Sequence, residues 1–155
     1  MRRTKIMVFL HGTALMHKNG LGKTREERIK QVIDGRDESL RDFCSYVPVE
    51  GIVQKLVKWQ ANGAEISYIS SHRNPDDVAK DEAVLKCYGF PEGAVFFRRT
   101  GEGYGDVAKR VQPDIIVEDD CESLGARAKE NIVSVNLPPE LKGKVKGVIV
   151  LSLAE

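Results

Sequence analysis

Short apolar runs alternate with well-punctuated helical patterns along most of this chain, and that alternation restricts the fold more than any other feature. The runs are 6–10, 65–70, 94–97, 114–118, 132–135 and 148–151. They are mostly apolar on both faces, as strands buried inside a parallel sheet are. Between them, 49–61 carries Ile52, Val53, Leu56, Val57 and Gln60 at helical spacing and stops at Asn62-Gly63. Asn74-Pro75-Asp76-Asp77 reads as an N-cap, a proline at the first helical position and an acidic first turn. That helix is expected to run to Tyr88, with Gly89 as its stop. Segments 106–111 and 121–129 fill the later gaps, and the glycine-rich 101–105 reads as a turn. Strand and helix in alternation give an α/β domain of three layers with a mainly parallel sheet. Ligands in such sheets bind at the carboxyl ends of the strands.

Segment 14–47 interrupts the alternation, being too long for one crossover helix. It holds a loop at 17–23, a helix opened by the capping box Thr24 and Glu27, a turn at Asp34-Gly35 and a second helix over about 36–45. The expectation is a small helical insert, serving as a lid, a protein-partner surface or two extra packing helices.

At 155 residues the chain is one domain by length. Lys and Arg number 24 against 23 Asp and Glu, which gives no electrostatic case for nucleic-acid or membrane-surface binding. Cys44, Cys87 and Cys121 are odd in number and far apart, as expected of reduced thiols in a cytoplasmic protein. The apolar run after the basic start is too short for a signal-peptide core, and no stretch reaches membrane-spanning length.

The strand ends carry the chemistry. The first reads "FLHGT", the second "YISSHRNP" and the fourth "PDIIVEDDCESLG". In order and spacing these resemble the haloacid-dehalogenase-like (HAD) superfamily over nearly the whole chain. The resemblance implies a Rossmann-like parallel sheet with a cap inserted after the first strand, at 14–47. It also implies magnesium-dependent phosphohydrolase chemistry in most members. The family places an aspartate nucleophile and a second acid two residues apart after the first strand. Those positions are Phe9 and His11 here, a degenerate active site. Phenylalanine has no nucleophilic atom and cannot ligate magnesium, which wants oxygen ligands in octahedral geometry. The family's basic residue before the fourth strand matches Lys109 most nearly in sequence, with Arg98 or Arg99 as spatial substitutes.

The binding half of the pattern persists. Gly12, Thr13, Ser70, Ser71, Arg73 and Lys109 are the candidate ligand-binding residues, through hydroxyls, cations and the N–H groups after Gly12. Glu118, Asp119, Asp120 and His11 are the candidate metal residues, and His11 and Asp119 the candidate catalytic ones. His11 has three readings: a structural histidine bonded to a carboxylate, a ligand for a transition metal such as zinc or nickel with Glu118 or Asp119, or a general acid or nucleophile. Arg98-Arg99 reads as a surface pair or an anion contact. The expected function is a HAD-like domain without standard phosphatase activity that binds a small phosphorylated molecule or a protein partner. The alternative is an active phosphohydrolase with an atypical residue set. A further alternative is nucleotide binding through "GLGKT" at 20–24, which resembles the end of a P-loop. It has His17 where that motif needs its first glycine, and its strand ends too early.

Overall fold

The computed structural model of the chain describes residues 3–10, 14–17, 46–49, 51–118, 139–142 and 146–149. Five parallel strands form one sheet in the order β5-β4-β1-β6-β7, with β1 Lys5–Phe9, β4 Glu65–Ile69, β5 Val95–Phe96, β6 Ile115–Glu118 and β7 Lys146–Ile149. The register is tied at the amino ends. Asp114 accepts from the Lys5 N–H at 2.8 Å and gives its own N–H to the Lys5 carbonyl at 2.9 Å. Helices α1 Ile52–Ala61 and α2 Pro75–Cys87 cover one face, and α3 Tyr104–Val111 and the short α4 Pro139–Lys142 the other.

Alternation along β1 divides the core between these layers. Ile6, Val8 and Leu10 pack with Ile52, Leu56, Val84 and Leu85, whereas Met7 and Phe9 pack with Tyr104, Val107, Val111 and Leu141. This is the three-layer α/β fold the apolar runs imply. Among the described residues no helix is long and apolar enough to cross a membrane.

Helix boundaries follow local chemistry. Gly51 adopts φ 79°, a left-handed conformation, and the Ile52 N–H bonds to the Val49 carbonyl, so α1 begins after that turn and not at Val49. Asn74 caps α2 by accepting from the Asp76 N–H at 2.9 Å, with Pro75 in the first helical position. In α3 the Asp106 carboxylate reaches back to the Gly103 N–H at 2.8 Å. The helix therefore starts at Tyr104, and the expected turn at 101–105 gives way to a helical first turn at its last two residues. Strand β7 begins two residues earlier than its apolar run, since Lys146 and Gly147 already pair with β6.

A separate antiparallel ribbon joins β2 Leu15–His17 to β3 Tyr46–Pro48, two strands the sequence reading did not anticipate. At its start the Leu10 carbonyl accepts from both the Ala14 and Leu15 N–H groups. The ribbon brings His17 opposite Tyr46, so the segment between them departs and returns at one place. The expected helices and "GLGKT" loop of that segment lie outside the described residues, as do the expected strand at 132–135 and helix at 121–129.

Gly93 marks a close approach between the segment entering β5 and strand β4. A Cβ there would fall well inside contact distance of the Ile66 carbonyl oxygen and 3.3 Å from the Tyr68 ring. Neither backbone can yield easily, because the Tyr68 hydroxyl is anchored on the Pro91 carbonyl at 2.7 Å. Gly93→Ala is expected to destabilise the domain by about 2 kcal/mol. A lowered denaturation midpoint at unchanged slope would show it.

Candidate functional site

The chain passes from β1 outward to β4 and β5, then returns across the sheet to β6 and β7. The carboxyl ends of β1 and β6 therefore flank the topological switch point, where a doubly wound sheet opens a crevice. Phe9 and Leu10 end the central strand there, and Glu118 ends β6 with a side chain 2% exposed. His11, Gly12 and Thr13 follow Leu10, and Asp119 and Asp120 follow Glu118; all five lie outside the described residues.

Phe9 is a core residue. It is 6% exposed, and its ring meets Tyr104 edge-on with centroids 5.4 Å apart. The position that would carry a nucleophile is thus turned into the α3 layer among Met7, Ile69 and Ile116. It offers no oxygen to a magnesium ion. Among the described residues no group of three His, Cys, Asp or Glu is placed to hold a metal. Phe9 therefore cannot itself supply a ligand to the magnesium ion that the family resemblance implies.

Tyr104 has a second partner. The Arg98 guanidinium lies over its ring, 4.1 Å from the centroid, and Nη2 donates to the Ser71 carbonyl at 3.0 Å. Burial lowers the Arg98 pKa from its usual value, and the charge of Arg73 adds to that while Tyr104 opposes it. Its Nε–H is enclosed and has no hydrogen-bond partner among the described residues. Arg98 is therefore a half-buried cation fixed at the ends of β4 and β5, and not a member of a surface pair. Its neighbour Arg99 is the exposed one.

Ser70 ends β4 fully buried. Its hydroxyl donates to Asp81 Oδ2 at 2.6 Å and accepts from the His72 N–H at 3.0 Å. His72 Nδ1 lies 3.0 Å from the same carboxylate oxygen. Asp81, on α2, is 1% exposed. Both the Ser70 hydroxyl and the His72 ring bond to the carboxylate, and the bond between the two residues runs from the His72 backbone N–H and not from its ring. This is not the serine–imidazole contact that activates a nucleophile. Tyr46, from the ribbon, stands close enough that Asp81 raises its hydroxyl pKa, second to the effect of burial.

Arg73 is exposed and donates to the carbonyls of Arg99 and Glu102 at 3.3 and 3.2 Å, bracing the loop that leads into α3. Glu102 completes that brace by accepting from the Arg99 N–H at 2.9 Å and from Arg110. The Arg99 N–H bond, with the Arg110 contacts, holds the Glu102 carboxyl below its ordinary range.

The strand ends thus bring together Ser70, Ser71, Arg73 and Glu118 of the candidate residues. Lys109 is not brought to them. Helix α3 runs from the carboxyl edge of the sheet back to the amino edge, and Lys109 sits in its last turn, exposed and paired with Glu140 at 3.6 Å. Of the spatial substitutes Arg98 and Arg99, Arg98 is half-buried at that edge and Arg99 is exposed.

Asp81 and Tyr104 are site residues that the sequence reading passed over. Both carried a signal. Asp81 falls in phase with Val78, Val84 and Leu85 on the buried stripe of α2, where a carboxylate needs a partner. Tyr104 is in phase with Val107, Ala108 and Val111 once the helix is started two residues earlier.

No family model matches the sequence, and no curated protein matches it significantly. Among solved structures, the class C acid phosphatase from Bacillus anthracis is similar over 96% of this chain and 66% of its own, at 14% identity and TM-score 0.61. Its tungstate-bound form is similar at 13% identity and TM-score 0.59, over 96% and 67%. The α/β fold of this chain is shared with these phosphatase structures. A match of TM-score 0.55 and 11% identity also extends over 97% of this chain to a chain of the Pnkp1/Rnl/Hen1 complex. The present chain spans under half of that one, 47%. Likeness at these identities carries the fold and nothing finer.

Proposed function

We propose that this HAD-like domain binds a phosphorylated ligand at the carboxyl edge of its sheet and lacks standard phosphatase chemistry. One observation carries the proposal. Arg98 is held by Tyr104 and the Ser71 carbonyl with its Nε–H enclosed, beside the ends of β4 and β5. A guanidinium fixed in this way needs little further ordering to take two oxygens of a phosphate. Gly12 and Thr13 would contribute from the end of β1, with Ser71 beside Arg98. Tungstate, held by the similar phosphatase, is a tetrahedral oxyanion of the same kind. The absent reagent is the carboxylate at Phe9, so the ligand is bound and not turned over through a covalent intermediate.

Calorimetry with inorganic phosphate and with tungstate tests this. Arg98→Lys keeps the charge but not the fork, and Arg98→Ala keeps neither. Binding is expected to weaken about tenfold or more in the alanine variant, with lysine between. No binding by the native protein would sink the proposal. Magnesium-dependent hydrolysis of phosphomonoesters above background, lost in an Asp119→Ala variant, would favour the active-hydrolase alternative.

A further inference from the structure

Phe9 stands where the family pattern has its nucleophile, and the structure gives that position a neighbour instead of a reagent. Its ring meets the Tyr104 ring edge-on, with centroids 5.4 Å apart and planes at 64°. Tyr104 in turn carries Arg98, whose guanidinium carbon lies 4.1 Å from the ring centroid. One aromatic ring therefore joins a core residue of the central strand to a half-buried cation at the strand ends.

Arg98 depends on that ring. Its Nε–H is enclosed without a hydrogen-bond partner among the described residues, an arrangement that favours release of the side chain to water. A single bond, from Nη2 to the Ser71 carbonyl at 3.0 Å, opposes that release together with the contact to the Tyr104 face. An arginine has many rotamers to regain once a contact of this kind is lost.

Tyr104 depends on Phe9 in its turn. It is the first residue of α3, in the turn of a helix that has the fewest internal bonds. Phe9 belongs to β1, which is paired with β4 on one side and β6 on the other. Both rings are buried, Phe9 at 6% and Tyr104 at 2% exposure. An aliphatic side chain at position 9 would fill much of the same space, yet it lacks the ring that makes an edge-on aromatic contact directional.

We propose that Phe9 is a positioning residue of the anion site: its ring seats Tyr104, and Tyr104 seats Arg98 to receive a phosphate. This inference rests on the phosphate-binding reading above. The residue that takes the place of the nucleophile then serves binding, two contacts away from the ligand.

Calorimetry with inorganic phosphate on full-length variants tests the chain of contacts. Tyr104→Leu removes the face under Arg98 and is expected to weaken phosphate about tenfold. Tyr104→Phe restores the face and is expected to recover most of that loss. Phe9→Leu is expected to weaken phosphate about threefold. Phe9→Ile serves as a second variant should leucine spoil the cooperative melt. In the double variant Phe9→Leu with Tyr104→Leu, binding should be no weaker than in Tyr104→Leu alone, because Phe9 acts only through that ring. Proton NMR of the Arg98 Nε–H supplies a readout without ligand. Its exchange with water should be slow in the native protein and in Tyr104→Phe, and at least about tenfold faster in Tyr104→Leu and Phe9→Leu. A merely structural role for Phe9 would lower the melting temperature and leave that exchange unchanged at temperatures well below the transition.

Native affinity and native Arg98 exchange in Phe9→Leu would overturn the inference. So would losses that add in the double variant, since Phe9 and Tyr104 would then act separately. Phosphate binding lost in Arg98→Ala but unchanged in Phe9→Leu overturns this inference alone. No phosphate binding by the native protein overturns it together with the phosphate-binding reading.

Discussion

Replacing Phe9 with aspartate is expected to destabilise the domain severely instead of reviving hydrolysis. The ring is 6% exposed, set edge-on to Tyr104 and surrounded by Met7, Ile69, Val107 and Ile116. Removing such a ring leaves a cavity, and Phe→Ala changes of this kind cost about 3–5 kcal/mol. Aspartate adds the cost of taking a carboxylate out of water beside apolar side chains. Small domains hold only about 5–15 kcal/mol in total, so Phe9→Asp should lose a large part of that. Urea unfolding of Phe9→Leu, Phe9→Ala and Phe9→Asp should give increasing loss in that order, with leucine costing the least. Buried aspartate also imposes a sign on pH. Burial raises its folded-state pKa above the unfolded value, so Phe9→Asp should be least unstable in acid and lose stability as pH rises through the folded pKa. A Phe9→Asp protein as stable as the native one, and hydrolysing phosphomonoesters with magnesium, would mean that the position faces an open site and not the core.

This bears on what the sequence could disclose. The apolar runs placed β1, β4, β5 and β6 because a strand buried on both faces admits few polar residues, and each was bounded by turn chemistry. Asn74-Pro75 and Gly89 placed α2 closely, since a cap is a local interaction fully encoded in a few residues. The ribbon was not legible. Leu15–His17 and Tyr46–Pro48 are three residues each, too short for a period to register, and their pairing joins residues far apart in the chain. Site residues divided in the same way. That Phe9 lacks a nucleophile is visible in one letter. That its ring occupies the α3 layer depends on Tyr104, which depends on where α3 starts. Lys109 and Arg98 lie apart for a related reason. Nearness in sequence favoured Lys109, but helix direction sends its last turn to the opposite edge of the sheet from Arg98.

The buried carboxylate should give the other large effect. Asp81 accepts from the Ser70 hydroxyl at 2.6 Å and faces His72 Nδ1 at 3.0 Å, with 1% of its surface exposed. Asp81→Ala would leave two enclosed polar groups without their acceptor, in a space alanine cannot fill. Removing a buried acceptor costs the desolvation of the donors it leaves behind, about 1–3 kcal/mol for each. Asp81→Asn should cost less, about 1–3 kcal/mol, since its amide oxygen still accepts one bond while its NH₂ group needs an acceptor of its own. Ser70→Ala separates desolvation from attraction. Alone it removes one donor. Combined with Asp81→Ala it also removes a group that would otherwise be orphaned, so the double variant should be less unstable than the sum of the singles, by about 0.5–3 kcal/mol. Strict additivity would mean that the Ser70–Asp81 bond is energetically silent in the folded protein.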